Sequence, residues 1–246
     1  MARYKQTATR LGLSVGANLG ARSDVRLSAH VGRDTVVVKV GDPAFPEARG
    51  RIAGGALTWR LDTQDSPVVP STGVLVQAGL ARTFEAPDIT IAGQSVAPGT
   101  SLTSASASGI AFWSPGTDAV HRLFVSGAVG GVFTNTPLET PQFALGVPFR
   151  LGAYSPGELR GAHYYAATGG YLRRVARLPD FLGGPIFAGG WLENGDAFAE
   201  WSRAGWRGNG GVGVIMDTLI GPVVVAGSWG FDGRWRTYFG VGRIFR

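Results

Sequence analysis

The stretch RLGLSVGANL, residues 10–19, decides the fold because apolar and polar residues alternate along it. Strict alternation is typical of a β-strand that has one apolar side and one polar side. The stretch therefore predicts a strand of about ten residues, with Gly, Ser, Asn and Arg on its polar side. The apolar side carries Leu11, Leu13, Val15, Ala17 and Leu19.

The same alternation recurs along the chain, and helical periodicity is absent from it. It is visible at residues 25–32, 36–40, 57–62 and 235–245. The strands of a soluble β-sandwich show the same alternation, so alternation alone does not distinguish a sandwich from a membrane β-barrel. The polar sides are rich in Gly, Ser, Thr and Arg, and the length of about ten residues matches a tilted membrane-spanning strand. Both features favour a membrane β-barrel.

The connections between these segments alternate between long and short. The long ones include residues 85–104 and 134–161, and the short ones include 114–118, 217–222 and a tight turn at 33–35. Outer-membrane barrels have short turns on the periplasmic side and longer external loops. Because every backbone polar group must be paired in hydrocarbon, the sheet must close on itself. We predict an all-β protein: a closed antiparallel transmembrane β-barrel of about twelve strands, within roughly ten to sixteen.

The composition argues against several classes of protein and of ligand. The chain has 246 residues, no Cys, and 16% charged residues, against about 25% in soluble domains. No apolar run reaches the ~20 residues of a membrane-spanning helix. The net charge is +6, yet the Arg residues are scattered singly, which argues against nucleic acid as a partner. No metal and no cofactor is expected, because His30, His121 and His163 show no metal-ligand spacing.

The opening MARYKQTATR has no apolar segment after its basic residues, so it is not a secretory signal. Either the protein is cytoplasmic, or this chain begins downstream of a removed N-terminal part. The barrel reading favours the second alternative. We therefore expect one barrel domain over residues 1–246, in a Gram-negative outer membrane with both termini in the periplasm.

From about residue 23 the chain resembles the C-terminal bacterial surface antigen barrel of patatin-like phospholipase autotransporters. That family belongs with outer-membrane insertases and two-partner-secretion transporters. The resemblance rests on SDVRLSAHVGRDTVVVKVGDP, LTWRLDTQDSPVVPSTG, FALGVPFRLGAYSPGELRG, GGVGVIMDTLIGPVVVAGSWG and RTYFGVGRIF. It implies a barrel whose 134–161 external loop folds into the lumen and carries an Arg-Gly motif. Here the motif is Leu159-Arg160-Gly161, followed by Ala162 where the family prefers an aromatic residue.

The resemblance also implies an acidic partner for Arg160 on an inward wall position. In WLENG, residues 191–195, that partner is Glu193, and Asp62 and Asp217 are further inward acids. We expect Arg160→Ala to leave the barrel inserted but to loosen the loop and lower its heat resistance. In the closing strand, Tyr238, Gly240 and Phe245 are the expected signal for the barrel-assembly machinery.

The chain is expected not to be an enzyme, because it lacks the G-x-S-x-G nucleophile elbow that a patatin needs. Ser155 in GAYSPG has the wrong glycine spacing. The predicted function is to anchor, and to translocate or display, an N-terminal passenger, which by resemblance is a patatin-like phospholipase. Expected partners are outer-membrane lipid and the assembly machinery, and a homodimer stays open. The alternatives are a passive pore or adhesin barrel, and a soluble carbohydrate-binding β-sandwich that uses its Trp residues.

Overall fold

The computed structural model describes residues 3–40, 45–91, 94–97, 101–116, 118–133 and 143–242. Within these ranges the chain forms fifteen β-strands and one short 3₁₀ turn. No helix in the described ranges has the length and apolar character needed to cross a membrane. The elements are β1 Arg3–Asn18, β2 Ser23–Val40, β3 Glu47–Asp62, β4 Gly73–Glu85, β5 Asp88–Ile91, β6 Gln94–Ala97, β7 Leu102–Trp113, β8 His121–Phe133, β9 Phe143–Leu145, β10 Leu159–Gly161, β11 His163–Arg177, β12 Gly183–Phe198, the 3₁₀ turn Trp201–Arg203, β13 Arg207–Thr218, β14 Gly221–Gly230 and β15 Trp235–Val241.

The strands pair with their neighbours in chain order, as in a meander. Eleven described strands follow one another in the order β1-β2-β3-β4-β7-β8-β11-β12-β13-β14-β15. The strands β5 and β6 pair with each other, β5 also pairs with β3, and β9 and β10 form a separate two-stranded sheet. The predicted all-β antiparallel architecture is confirmed.

One predicted turn is wrong. No turn lies at 33–35, because β2 continues to Val40 and pairs with β1 throughout that stretch. The polar residues there are used inside the sheet, where Asp34 forms an ion pair with Arg10 across the two strands. The predicted long connection at 85–104 agrees with the end of β4 at Glu85 and the start of β7 at Leu102, and it contains the β5–β6 hairpin. The strand β12 extends to Phe198, and β13 begins at Arg207.

The chain groups into two compact units. The first comprises residues 1–59, 78–105 and 132–137, and the second comprises residues 60–77, 106–131 and 138–246. In the first unit, β1 is exposed along its whole length, and its apolar side chains Leu11 and Leu13 are 76% and 74% exposed. They are not pressed against a second sheet, as the core residues of a β-sandwich would be.

In the second unit, one side of the strands is apolar and exposed; we call it the apolar face. Cross-strand pairs define it, because paired residues point to the same side. Trp229 pairs with Trp235, and Val225 pairs with both Val214 and Phe239. Phe239 is 70% exposed. The alternation predicted for residues 235–241 is therefore present, with Arg236, Tyr238 and Gly240 on the opposite side.

That opposite side, which we call the covered face, is buried under loop residues. The sequence predicts a polar lining for it, and part of that prediction is wrong. One hydrophobic cluster on it includes Phe187, Ile215 and Val224 from the strands and Val69 from the β3–β4 connection. Val69 is only 4% exposed. The connection between β3 and β4 therefore packs onto the strands of the second unit.

Candidate functional site

The candidate site is the part of the covered face that binds the segment from Gly146 to Tyr154. The segment has a tight backbone. Gly146 has a φ of 103°, and Phe149 and Leu151 each have a φ of 63°. A Cβ at Gly146 would lie 2.0 Å from the carbonyl oxygen of Ser155. Left-handed non-glycine residues persist only where the surroundings hold them, so this fold of the segment depends on its contacts with the wall.

Phe149 is the apolar anchor of the segment. Its ring lies 4.6 Å, centroid to centroid, from Trp191 on β12 and meets Phe124 on β8 edge-on at 6.0 Å. Its carbonyl oxygen accepts a 2.8 Å hydrogen bond from the hydroxyl of Thr168 on β11. Three strands of the wall therefore hold one loop residue through both its ring and its backbone.

Glu193 is the polar anchor. The side chain is 3% exposed on β12. Its Oε2 accepts the backbone N–H of Gly152 at 2.6 Å and the amide of Asn209 at 2.8 Å, and its Oε1 accepts the indole N–H of Trp191 at 2.9 Å. A buried carboxylate needs such donors, since an unpaired one is costly to desolvate. Glu193 therefore fixes the loop backbone with neutral donors.

A glycine is required at position 152 by this close approach. A Cβ there would lie 2.9 Å from Oγ of Ser228 on β14 and 3.4 Å from Cε1 of Tyr238 on β15. A side chain there would have to displace Ser228 or the loop backbone whose N–H binds Glu193. The glycine therefore belongs to the carboxylate site.

The predicted ion pair between Arg160 and Glu193 is not formed. Arg160 lies in β10 with its side chain exposed, and its Nε donates to the carbonyl oxygen of Gly157 at 2.5 Å. Glu193 is buried beneath Gly152, and its hydrogen-bond donors come from other residues. The loop does reach the acid, but it does so through a backbone N–H. The physical reason is desolvation, because neutral donors satisfy the carboxylate without burying a second charge.

The neighbours of Arg160 in the motif are buried. Leu159 packs in a second cluster with Leu145, Leu151 and Tyr164. Gly161 runs so close to β12 that a Cβ would lie 2.3 Å from the backbone nitrogen of Phe198. In this structure the leucine and the glycine hold the end of the loop against the wall.

A second attachment joins the loop to the β14–β15 turn. Arg234 donates to Glu158 at 2.5 Å and to Asp232 at 2.8 Å, and its guanidinium lies 4.1 Å from the centre of the Tyr154 ring. The Tyr154 hydroxyl donates to Asp232 at 3.1 Å, and Arg236 donates to the Tyr154 carbonyl at 2.9 Å. We call these five side chains the latch.

The latch shifts the ionisation of its loop members. The backbone N–H of Ser155 and the guanidinium of Arg234 lower the pKa of the Glu158 carboxyl below its ordinary value. Burial raises the pKa of the Tyr154 hydroxyl, which keeps its proton for Asp232. At neutral pH the latch therefore holds a charged Glu158 and a neutral Tyr154.

Of the other predicted residues, Tyr238 lies at the loop, and Asp62 and Asp217 lie away from it. Asp62 accepts from Arg60 at 2.7 Å at the end of β3, and Asp217 lies beside Gly184 near the opposite end of β13 from Asn209. Tyr238 packs on the main hydrophobic cluster next to Gly152, and Gly240 lies against Val224. Phe245 falls outside the described residues. The expected assembly signal therefore stays a prediction.

Several wall residues of the site were not predicted from the sequence, among them Thr168, Asn209, Arg234 and Arg236. Alternation could have found Asn209, because it pairs with Glu193 across β12 and β13 and must share its face.

A cavity of about 380 Å³ lies beside Phe149 and Arg150, lined in part by Gln77, Ser108 and Ser126. The described residues contain no group of three or more His, Asp or Glu that could hold a metal. The arrangement is suited to holding a loop.

Comparison with known proteins bears on the fold. No protein-family model matches the chain, and no curated protein matches it. Among solved structures, it superposes with a TM-score of 0.73 on the crystal structure of BamA from Haemophilus ducreyi lacking POTRA domains 1-3. The fold resembles the BamA barrel. The match covers 96% of this chain and 54% of that one at 9% identity, so this chain spans about half of the BamA chain and the likeness concerns the fold.

We expect Glu193→Gln to destabilise the loop more than Arg160→Ala. The amide N–H₂ of glutamine would face a donor N–H, so one hydrogen bond to a charged group is lost. Such a hydrogen bond contributes about 1.5–3 kcal/mol to stability. Arg160 loses only the contact with Gly157. Melting in detergent and protease cleavage within 146–158 measure the two effects, with the exposed Glu200→Gln as control. A larger loss for Arg160→Ala than for Glu193→Gln would contradict this assignment.

We expect the latch to weaken in acid. Because the pKa of Glu158 is lowered in the folded state, its contribution is complete above the ordinary value of 4.5 and is lost as the pH falls through the lowered pKa. The difference in melting temperature between the wild type and Glu158→Gln, measured at several pH values, should be constant near neutrality and shrink in acid. A difference that stays constant or grows in acid would refute the role of Glu158.

Proposed function

We propose that the sheet closes into an outer-membrane β-barrel that anchors an N-terminal passenger and displays or translocates it. The observation that carries the proposal is the contrast between the two faces in the second unit. One face exposes Val212, Val225, Trp229 and Phe239, while the other is buried under the loop. Exposed apolar side chains over a whole sheet face are stable only against another apolar medium. Lipid supplies that medium, and the BamA-like fold supports the same reading.

The dimensions fit a bilayer. The strand β14 has 10 residues, which at ~3.3 Å each extend about 33 Å. At the ~40° tilt of barrel strands this spans about 25 Å, the height of the apolar band in outer-membrane barrels. Trp229 and Trp235 lie at one end of the band, and the exposed Leu219 and Ile220 lie at the other. Tryptophan is typical of the membrane–water interface.

An anchoring role fits the covered face better than a passive pore does. Phe149 from one connection and Val69 from another belong to the same hydrophobic cluster. A water-filled channel would need that space to be open and polar. In the proposed barrel this part of the lumen is occupied, and the passenger determines the activity of the whole protein. The identity of the passenger as a patatin-like phospholipase rests on the sequence resemblance.

The experiment fuses a secreted soluble reporter to the N-terminus of the chain in a Gram-negative host. We expect the reporter in the outer-membrane fraction, together with a barrel band whose gel mobility changes on heating. Val225→Arg should lower both signals, since an arginine at the middle of the band costs about 2–4 kcal/mol. Glu200→Arg, which adds the same side chain in the β12–β13 connection, is the control.

Two results would overturn the proposal. One is a reporter that remains soluble with the wild-type chain. The other is equal loss of the membrane signal for the Val225→Arg and Glu200→Arg variants. A large steady conductance in planar bilayers would favour the passive pore instead.

A further inference from the structure

The apolar face of the second unit contains a shallow groove of about 460 Å³. Its floor is formed by Gly169 on β11 and Gly190 on β12. Gly169 pairs with Val125 on one side and Leu192 on the other, and Gly190 pairs with Tyr171. The walls are formed by Trp113, Leu123, Val125, Tyr171 and Leu192.

The groove exists because its floor lacks side chains while its walls stand out. A Cβ built at Gly169 would meet no atom within 4 Å, so the space above it is open. The neighbouring Leu192 and Val125 are 65% and 49% exposed and form ridges along the groove. An extended hydrocarbon chain would bury apolar surface on both ridges and on the two aromatic walls.

One end of the groove is polar and cationic. Along β11, Gly169 is followed on the same face by Tyr171 and then by Arg173, which pairs with His121 on β8. The Tyr171 hydroxyl and Nδ1 of His121 share a 2.6 Å hydrogen bond, and the two rings stack at 5.8 Å. Arg173 is exposed.

The charged neighbours of Arg173 are paired with other groups. Arg177 pairs with Asp180, and Arg174 donates to the carbonyl oxygen of Asp118. None of the ion pairs found among the described residues includes Arg173. Its guanidinium is therefore available to an anion at the end of the groove.

We propose that the groove binds one anionic phospholipid of the phosphatidylglycerol class. An acyl chain lies over Gly169 and Gly190, and the phosphate lies on Arg173 beside the Tyr171–His121 pair. Arginine matches phosphate in geometry and charge, and tyrosine suits the boundary between hydrocarbon and headgroups. The inference rests on the proposed membrane location and adds a lipid class to it. A net negative headgroup is favoured over a zwitterionic one by about fivefold for each basic residue near the surface.

The test reconstitutes the chain in phosphatidylcholine vesicles and compares spin-labelled phosphatidylglycerol with spin-labelled phosphatidylcholine. The measured quantity is the relative association constant of the motionally restricted lipid. We expect a preference of about fivefold for phosphatidylglycerol. Arg173→Gln should remove the preference, and Gly169→Leu should reduce the restricted phosphatidylglycerol by filling the groove. Arg203→Gln in the β12–β13 connection and Gly227→Leu on the apolar face of β14 are the matched controls.

Insertion is read separately from heat-modifiable mobility, so the two proposals fail in different ways. A chain that inserts but shows equal affinity for the two lipids overturns the lipid site alone. The same holds if Arg173→Gln and Gly169→Leu both keep the wild-type preference, or if the controls lose it equally. A chain that does not insert overturns the proposed function and the lipid site with it.

Discussion

Successive side chains of a β-strand point to opposite faces of the sheet, and this constraint governs the whole structure. Once Trp235 and Phe239 point to one side, Arg236 and Tyr238 must point to the other. The same rule passes from strand to strand through cross-strand pairs, so the exposed apolar side chains of the second unit gather on one face. Burial then differs between the faces, with one left exposed and the other closed over by loop residues.

The covered face shows how a buried acid can hold a loop without a cation. Glu193 receives side-chain donors from Trp191 and Asn209 of the wall and backbone donors from the loop, among them the N–H of Gly152. The wall therefore supplies side chains to the carboxylate, whereas the loop supplies its backbone. The glycine at position 152 follows from this geometry, and the two left-handed residues Phe149 and Leu151 precede it in the chain. The charged contacts of the loop lie further along, where Arg234 is half-exposed and the desolvation cost is lower.

The sequence predicted the features that depend on period and composition. The all-β class, the apolar face and the position of Glu193 in the loop site all follow from alternation and from the resemblance. The predicted Arg160–Glu193 pair was wrong because a sequence does not show which backbone N–H will reach a carboxylate. Opposite charges, in contrast, are visible in the sequence and suggest an ion pair. The turn expected at 33–35 was wrong for a related reason, since Asp34 is a typical turn residue and only the structure shows its ion pair with Arg10 on the neighbouring strand.

The sequence also does not reveal the packing of the connection between β3 and β4. Its composition is typical of a solvated turn, and only tertiary packing shows that Val69 belongs to the hydrophobic cluster. Thr168 and Arg234 were missed for a similar reason, because each becomes part of the site only when a distant segment packs on it. The strands of the wall could be predicted from the local sequence pattern. The residues that pack on the covered face could not, because they come from distant parts of the chain.

The lipid exposure of the apolar face is tested most directly by the lipid accessibility of single cysteines along β15. The chain contains no Cys, so each position from 235 to 241 can be labelled alone with a fluorophore. In vesicles that carry a quencher on their acyl chains, the account predicts strong quenching at 235, 237, 239 and 241 and weak quenching at 236, 238 and 240. Equal quenching at all positions, or free reaction of every position with a water-soluble thiol reagent, would contradict it.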